Sequence, residues 1–183
     1  MLRFRSCGVS ATGASSGLRG KVLEEESQVM ESLTSPVPVP IDESFMHAIL
    51  AIEHLSFEAP WSSLDFQLVF DNPKALCLGL SLNRKLIGYA IGYLERPSFH
   101  LANLAIDPHH RRSGNALLLA TRVMENATAL GCTACTLEVR TSNQGALQLY
   151  SKLGFEVVDM WPHFYSRPAE DAFVMYRGLT AGG

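Results

Sequence analysis

Three features of the sequence predict a mixed α/β domain, with one central, mostly antiparallel sheet and helices on both of its faces. Two apolar runs meet at Asn83-Arg84-Lys85, which reads as a hairpin and makes part of the sheet antiparallel. From Phe99 to Phe155 strand-like and helix-like runs alternate twice, the pattern that lays helices against a sheet. With 183 residues, 47% hydrophobic and 18% charged, the chain suits one domain that buries about two-thirds of its unfolded surface.

The elements follow in order. Ile41 to Ser56 reads as an amphipathic helix, with Phe45, Ile49, Ile52 and Leu55 recurring at steps of three and four and Asp42 and Glu43 in its first turn. Ala59-Pro60-Trp61 breaks it. Ser62 can cap a short helix over Ser63 to Phe70, which Asp71-Asn72-Pro73 ends. Ala75 to Leu82 and Leu86 to Leu94 are the hairpin strands; Arg96-Pro97 turns the chain into a strand from Phe99 to Ile106. A helix over Ser113 to Leu130 has the stripe Leu117, Ala120, Met124, Ala127 and Leu130, stopped by Gly131. Thr136 to Val139 is a short strand. Ser142-Asn143 opens a helix with the stripe Ala146, Leu149, Tyr150 and Leu153, closed by Gly154. Glu156 to Met160 and Phe173 to Tyr176 are the last strands.

Residues 1 to about 40 are expected to form an extension outside the domain at 41–179. Met1 to Lys21 holds four basic residues and no acid; three glutamates and a Ser/Pro/Val stretch from Ser35 to Pro40 follow. A basic, serine-rich, acid-free segment has the composition of an organellar transit peptide. The alternatives are a disordered tail or a true start at Met30 or Met46.

Composition narrows the function classes. A net charge of −3 argues against nonspecific nucleic-acid binding, which calls for a basic excess. No apolar run approaches the ~20 residues of a membrane span. Cys7, Cys77, Cys132 and Cys135 make no disulfide framework in a chain of this length. Cys132-x-x-Cys135 has zinc-knuckle spacing without a second pair, so it reads as a turn into a strand with Cys135 packed as a small hydrophobe. No metal is expected.

The chemistry concentrates between Asn103 and Phe155. There the strand through Leu104, Ala105 and Ile106 breaks at Asp107-Pro108, and a basic turn, Arg111-Arg112-Ser113-Gly114-Asn115-Ala116, leads into a long helix. A helix N-terminus offers unpaired N–H groups and a partial positive charge, and Gly114 allows close approach of a ligand to the backbone. A phosphate-bearing ligand fits such a turn. The spacing Arg111-x-x-Gly114-x-Ala116 is neither a dinucleotide fingerprint nor a P-loop.

This spacing resembles the acyl-CoA loop of the GNAT N-acetyltransferases, Gln/Arg-x-x-Gly-x-Gly/Ala. LEVRTSNQGALQLYSKLGF (137–155) is similar to the second half of the GNAT core, while EAPWS (58–62) and EDAFVM (170–175) resemble RimI-type enzymes, which acetylate the N-terminal alanine of a small-subunit ribosomal protein. The resemblance covers roughly Ile41 to Leu179. It implies a sheet whose two central strands splay apart around acetyl-CoA, the acetyl donor. By the same resemblance, Leu104, Ala105, Ile106, the loop Arg111, Arg112, Ser113, Gly114, Asn115 and Ala116, and Asn143 contact that donor.

Glu138 is the candidate base. It alternates with Leu137 and Val139, so it faces away from their core, on a central strand whose other face is also covered. The resemblance to LEVR-x-SN gives it the general-base role; the competing reading is an ion pair with Arg140. Tyr150, by its stripe a core tyrosine, matches the GNAT tyrosine that protonates the departing sulfur. Asn143 is an N-cap by position. Trp61 and Tyr165 lie in loops that the family sets beside the acceptor. Asn115 stands where an aliphatic residue is usual, and Ser166-Arg167-Pro168 is shorter than its RimI-type counterpart.

The expected reaction is transfer of an acetyl group from acetyl-CoA to the N-terminal alanine of a ribosomal protein. The alternatives are a broader protein N-terminal or small-amine acetyltransferase, and a non-catalytic acyl-CoA-binding module. Expected partners are a protein N-terminus, with no direct nucleic acid and no membrane, for a cytoplasmic monomer or weak oligomer. A mitochondrial or plastid location follows if residues 1–40 are a transit peptide.

Overall fold

The computed structural model describes residues 35–179, which form a seven-stranded sheet with helices on both faces. The strands are β1 (Val37–Pro40), β2 (Ala75–Leu82), β3 (Lys85–Glu95), β4 (Ser98–Ile106), β5 (Ala134–Arg140), β6 (Glu156–Ser166) and β7 (Ala169–Gly178). The helices are α1 (Met46–Ser56), entered through a 3-10 turn at Glu43–Phe45, α2 (Ser63–Phe70), α3 (Asn115–Ala129) and α4 (Gln144–Lys152). The sheet order is β1-β2-β3-β4-β5-β7-β6, and only β4 and β5 run parallel.

Local chemistry accounts for the element boundaries. Asn83 and Arg84 both take positive φ (52° and 62°), the backbone of a two-residue hairpin turn matched to strand twist. Ser62 and Asp65 form a reciprocal capping box at the start of α2. The Asn143 side chain accepts from the Ala146 N–H at 3.1 Å and caps α4.

Two cores sandwich the sheet. On one face α3 and α4 pack on Leu80, Ile87, Leu101, Leu137 and Val139; on the other α1 and α2 pack on Tyr89, Ile91 and Ala105. The β4–β5 ladder holds only from Ser98↔Ala134 to His100↔Thr136, although β4 continues to Ile106 and β5 to Arg140. The β3–β4 register passes from Ile91↔Asn103 to Gly92↔Leu101 and skips Ala102. A bulge of this kind bends its strand, here away from β5, and a wedge opens between the two.

Several boundaries and stripes differ from expectation. Val37–Pro40, assigned to the extension, is an edge strand on β2. Pro38 and Pro40 alternate with valines, so their missing N–H groups can point away from the single partner strand; residues 1–34 lie outside the described part. In α1 the stripe is rotated: Leu55 is 60% exposed and the buried set is Ile49, Ile52 and Glu53. In α3 the buried face also takes in Leu119 and Val123, while Leu130 is exposed. β6 runs beyond Met160 to Ser166 because its register shifts absorb Pro162, which a regular ladder would exclude.

Candidate active site

The wedge between β4 and β5 widens into a cavity of about 550 Å³ that reaches both faces of the sheet. Its floor is β4 from Leu101 to Leu104 and β5 from Glu138 to Arg140. One wall carries Asn143 and Tyr150; the opposite wall carries Trp61, Phe164, Tyr165 and Glu170. Beyond His100 the β5-facing edge of β4 has no strand partner, which leaves backbone groups turned into the cavity.

The anion-binding turn lies past the open end of β4. Gly114 has φ +80° at the N-cap of α3, and no atom lies within 4 Å of where a Cβ would stand. The first-turn N–H groups of α3 have no intrahelical partners. Arg111, expected to bring charge to this turn, has its guanidinium on the framework instead: Nε donates to the Ile106 carbonyl at 2.8 Å and Nη2 to Ser56 Oγ at 2.9 Å. Asn115 is also turned inward, its amide donating to the His110 carbonyl at 2.7 Å. These two side chains shape the turn; Arg112 and Ser113 are exposed on it. Leu104 borders the cavity, whereas Ala105 and Ile106 are buried.

Glu138 and Tyr150 approach the cavity from opposite faces. The Glu138 side chain is 14% exposed and pairs with His100, Nε2 to Oε2 at 3.3 Å, rather than with Arg140. Arg140 pairs with Glu170 at 3.1 Å and donates to the carbonyls of Arg167 and Pro168. Its guanidinium lies 4.0 Å above the Tyr165 ring. Glu170 also accepts from the Ser142 N–H at 2.6 Å and from the Thr141 hydroxyl, and these hydrogen bonds hold its carboxyl down at about 2. The β6–β7 hairpin is thereby latched to the β5–α4 junction. Tyr150 is buried and edge-on to Phe155; burial pushes its hydroxyl well above the ordinary phenol range, so it stays a proton donor.

Sequence reasoning missed a third group. Glu53, 1% exposed, accepts from the Trp61 N–H at 2.8 Å, from the Asn103 amide at 3.3 Å and from the Tyr89 hydroxyl. This fixes the α1–α2 loop, with the Trp61 ring tilted against Phe66, centroids 5.5 Å apart. Burial, then the Glu53 charge, raise the Tyr89 hydroxyl far above its usual range. The available signals were Glu53 four residues after Ile49 on the apolar side of α1, and a polar Asn103 within the otherwise apolar run Leu101 to Ile106. Cys132 and Cys135 are both buried, and burial pushes the Cys135 thiol up to about 12. Among the described residues no three His, Cys, Asp or Glu side chains cluster at metal-binding distance.

A model of the acetyltransferase (GNAT) family matches residues 46–155. The [ribosomal protein bS18]-alanine N-acetyltransferase of Escherichia coli (strain K12) is 28% identical over 137 residues, which cover 74% of this chain and 92% of the relative. An uncharacterized protein of Mycobacterium leprae (strain TN) is 28% identical over 158 residues, 84% of this chain, and the match spans only 42% of that longer protein. The crystal structure of the Escherichia coli ribosomal-protein-S18-alanine N-acetyltransferase superposes with a TM-score of 0.75 at 26% identity, covering 81% of this chain and 97% of that one. The family match takes in more than half of the residues, from the start of α1 to just past the end of α4. This chain belongs to the GNAT acetyltransferase family and is an acyltransferase.

Proposed function

We propose that this protein transfers the acetyl group of acetyl-CoA to the N-terminal amine of a protein, and that its acceptor is a ribosomal protein beginning with alanine. The observation that carries this reading is the placement of Glu138 and Tyr150 on opposite sides of one cavity where β4 leaves β5. Family members draw on acetyl-CoA, whose thioester supplies the activated acetyl group. The open turn at Gly114 and the first-turn N–H groups of α3 suit its pyrophosphate. Backbone N–H groups on the free edge of β4 are the donors available to polarise the thioester carbonyl. Glu138 takes the proton of the incoming ammonium, directly or through a water, and Tyr150 gives its proton to the sulfur that leaves.

The acceptor enters from the other side, between the loop anchored by Trp61 and the latched hairpin bearing Tyr165. The alanine specificity and the ribosomal target are supported by relatives named for that reaction. Such an acceptor would be met in the cytoplasm, or in an organelle if the residues before β1 direct the chain there; among the described residues no helix is long and apolar enough to cross a membrane.

The test is incubation with acetyl-CoA and short peptides beginning with Ala, Ser or Met, with free thiol as the readout. Faster release with the Ala peptides is expected. Release with lysine side chains or polyamines and not with N-termini would replace this acceptor with a small-amine one. Tight binding without turnover would make the protein an acyl-CoA-binding module.

A further inference from the structure

His100 has no part in the proposed mechanism so far, yet it occupies the last rung of the β4–β5 ladder, where the cavity begins. Its two ring nitrogens face two different groups of β5. Nε2 is 3.3 Å from Glu138 Oε2, and Nδ1 is 3.4 Å from Thr136 Oγ1. A hydroxyl can donate to Nδ1, and the hydrogen of a neutral ring then sits on Nε2, directed at the carboxylate. The His100 side chain is 26% exposed against 14% for Glu138, so the ring is the more solvated partner.

The surrounding groups leave Glu138 as the charged partner of this ring. Tyr93 stands opposite His100 across the β3–β4 ladder, and burial raises its hydroxyl pKa, so it is neutral. Tyr176 of β7 is opposite Thr136. From α1, Glu53 is committed to Trp61, Tyr89 and Asn103. Among the described residues Glu138 holds the carboxylate oxygen within 4 Å of the ring.

We propose that His100 is a positioning residue for Glu138. Its Nε2–H holds Oε2, so that Oε1 is presented to the acceptor amine. The inference rests on Glu138 being the base. Proton transfer stays within the reaction: one N–H bond of the acceptor ammonium breaks, one O–H bond forms on Glu138, and His100 keeps its own Nε2 hydrogen throughout.

The test uses His100→Ala and His100→Gln in the full chain. The Gln amide places a donor near the Nε2 position but cannot ionise. We expect His100→Ala to lower kcat about tenfold at pH 8 with acetyl-CoA affinity unchanged, and His100→Gln to recover most of that loss. Equal losses in the two variants would overturn the proposal while active wild type and inactive Glu138→Gln left the base assignment standing. Nitrogen NMR reads the pair without turnover: a ring protonated on Nε2 at pH 8 is expected, and a ring protonated on Nδ1 alone would also overturn it.

Discussion

Replacing Glu53 by Gln tests whether the buried carboxylate holds the acceptor side of the site together. Trp61 N–H, Asn103 amide and Tyr89 hydroxyl all point donors at it, a set that a carboxylate satisfies and an amide cannot. In Glu53→Gln the new NH2 faces at least one of these donors. One unsatisfied buried donor costs about 1–3 kcal/mol, and turning the remaining contacts from charge-assisted to neutral adds about 1 kcal/mol. A total of roughly 2–4 kcal/mol lowers the melting temperature by about 4–16 °C for a domain of this size. Tyr89→Phe removes one donor and leaves the carboxylate with two, so its loss should be about 1.5–3 kcal/mol, the range for a hydrogen bond to a charged group. The same Glu53 variant frees the Trp61 loop, so the KM for a peptide acceptor should rise while acetyl-CoA affinity stays within twofold. Melting followed by circular dichroism, with peptide kinetics alongside, reads both effects. A melting point within about 2 °C of wild type would refute the three-donor reasoning.

Gly114→Glu puts a carboxylate on the anion-binding turn at φ +80°, where open space means strain but no clash, so the fold should survive. Calorimetry should show acetyl-CoA binding at least tenfold weaker, about 1.4 kcal/mol. Tyr150→Phe keeps the packing on Phe155 and removes the proton, so turnover should fall by ~10²–10⁴ with donor affinity within a few-fold. The Glu170 carboxyl is depressed from 4.5 to about 2 in the fold, so its stabilising contribution is complete above pH 4.5 and is lost as pH falls from there toward 2. Melting points taken from pH 6 to pH 3 should therefore fall less steeply in Glu170→Gln than in wild type.

Much of the fold could be read from local signals, and those signals succeeded where one physical requirement dominated. The Asn83-Arg84 turn, the Ser62 cap and the Asn143 cap are each set by a few adjacent residues. Pattern reading failed where tertiary partners decide. In α1, Glu53 occupies a core position that an apolar stripe would give to Leu55, because Trp61, Tyr89 and Asn103 converge on it from 8, 36 and 50 residues away. Arg140, two residues from Glu138 on the same strand face, looked like its ion partner, but tertiary neighbours decide: Glu138 pairs with His100 across the β4–β5 ladder and Arg140 with Glu170, 30 residues on. The basic character of the turn at 111–116 was visible. That Arg111 points back to Ile106 and Ser56 was not, since nothing local to it specifies that direction. The length of β6 stayed hidden behind Pro162, which only its register shifts make compatible with a strand.

The most direct measurement is the rate of Glu138→Gln with acetyl-CoA and an alanine-initiated peptide at pH 7 and pH 9. The substitution is nearly isosteric and keeps a hydrogen-bond acceptor for His100. A free N-terminal amine has a pKa of roughly 8, so at pH 7 most of it is protonated and needs a base, while at pH 9 most of it is already free. The account predicts that the variant loses most of its rate at pH 7, recovers part of it at pH 9, and keeps wild-type melting and acetyl-CoA binding. Full activity at pH 7, or a fall in stability large enough to explain the lost rate, would contradict it.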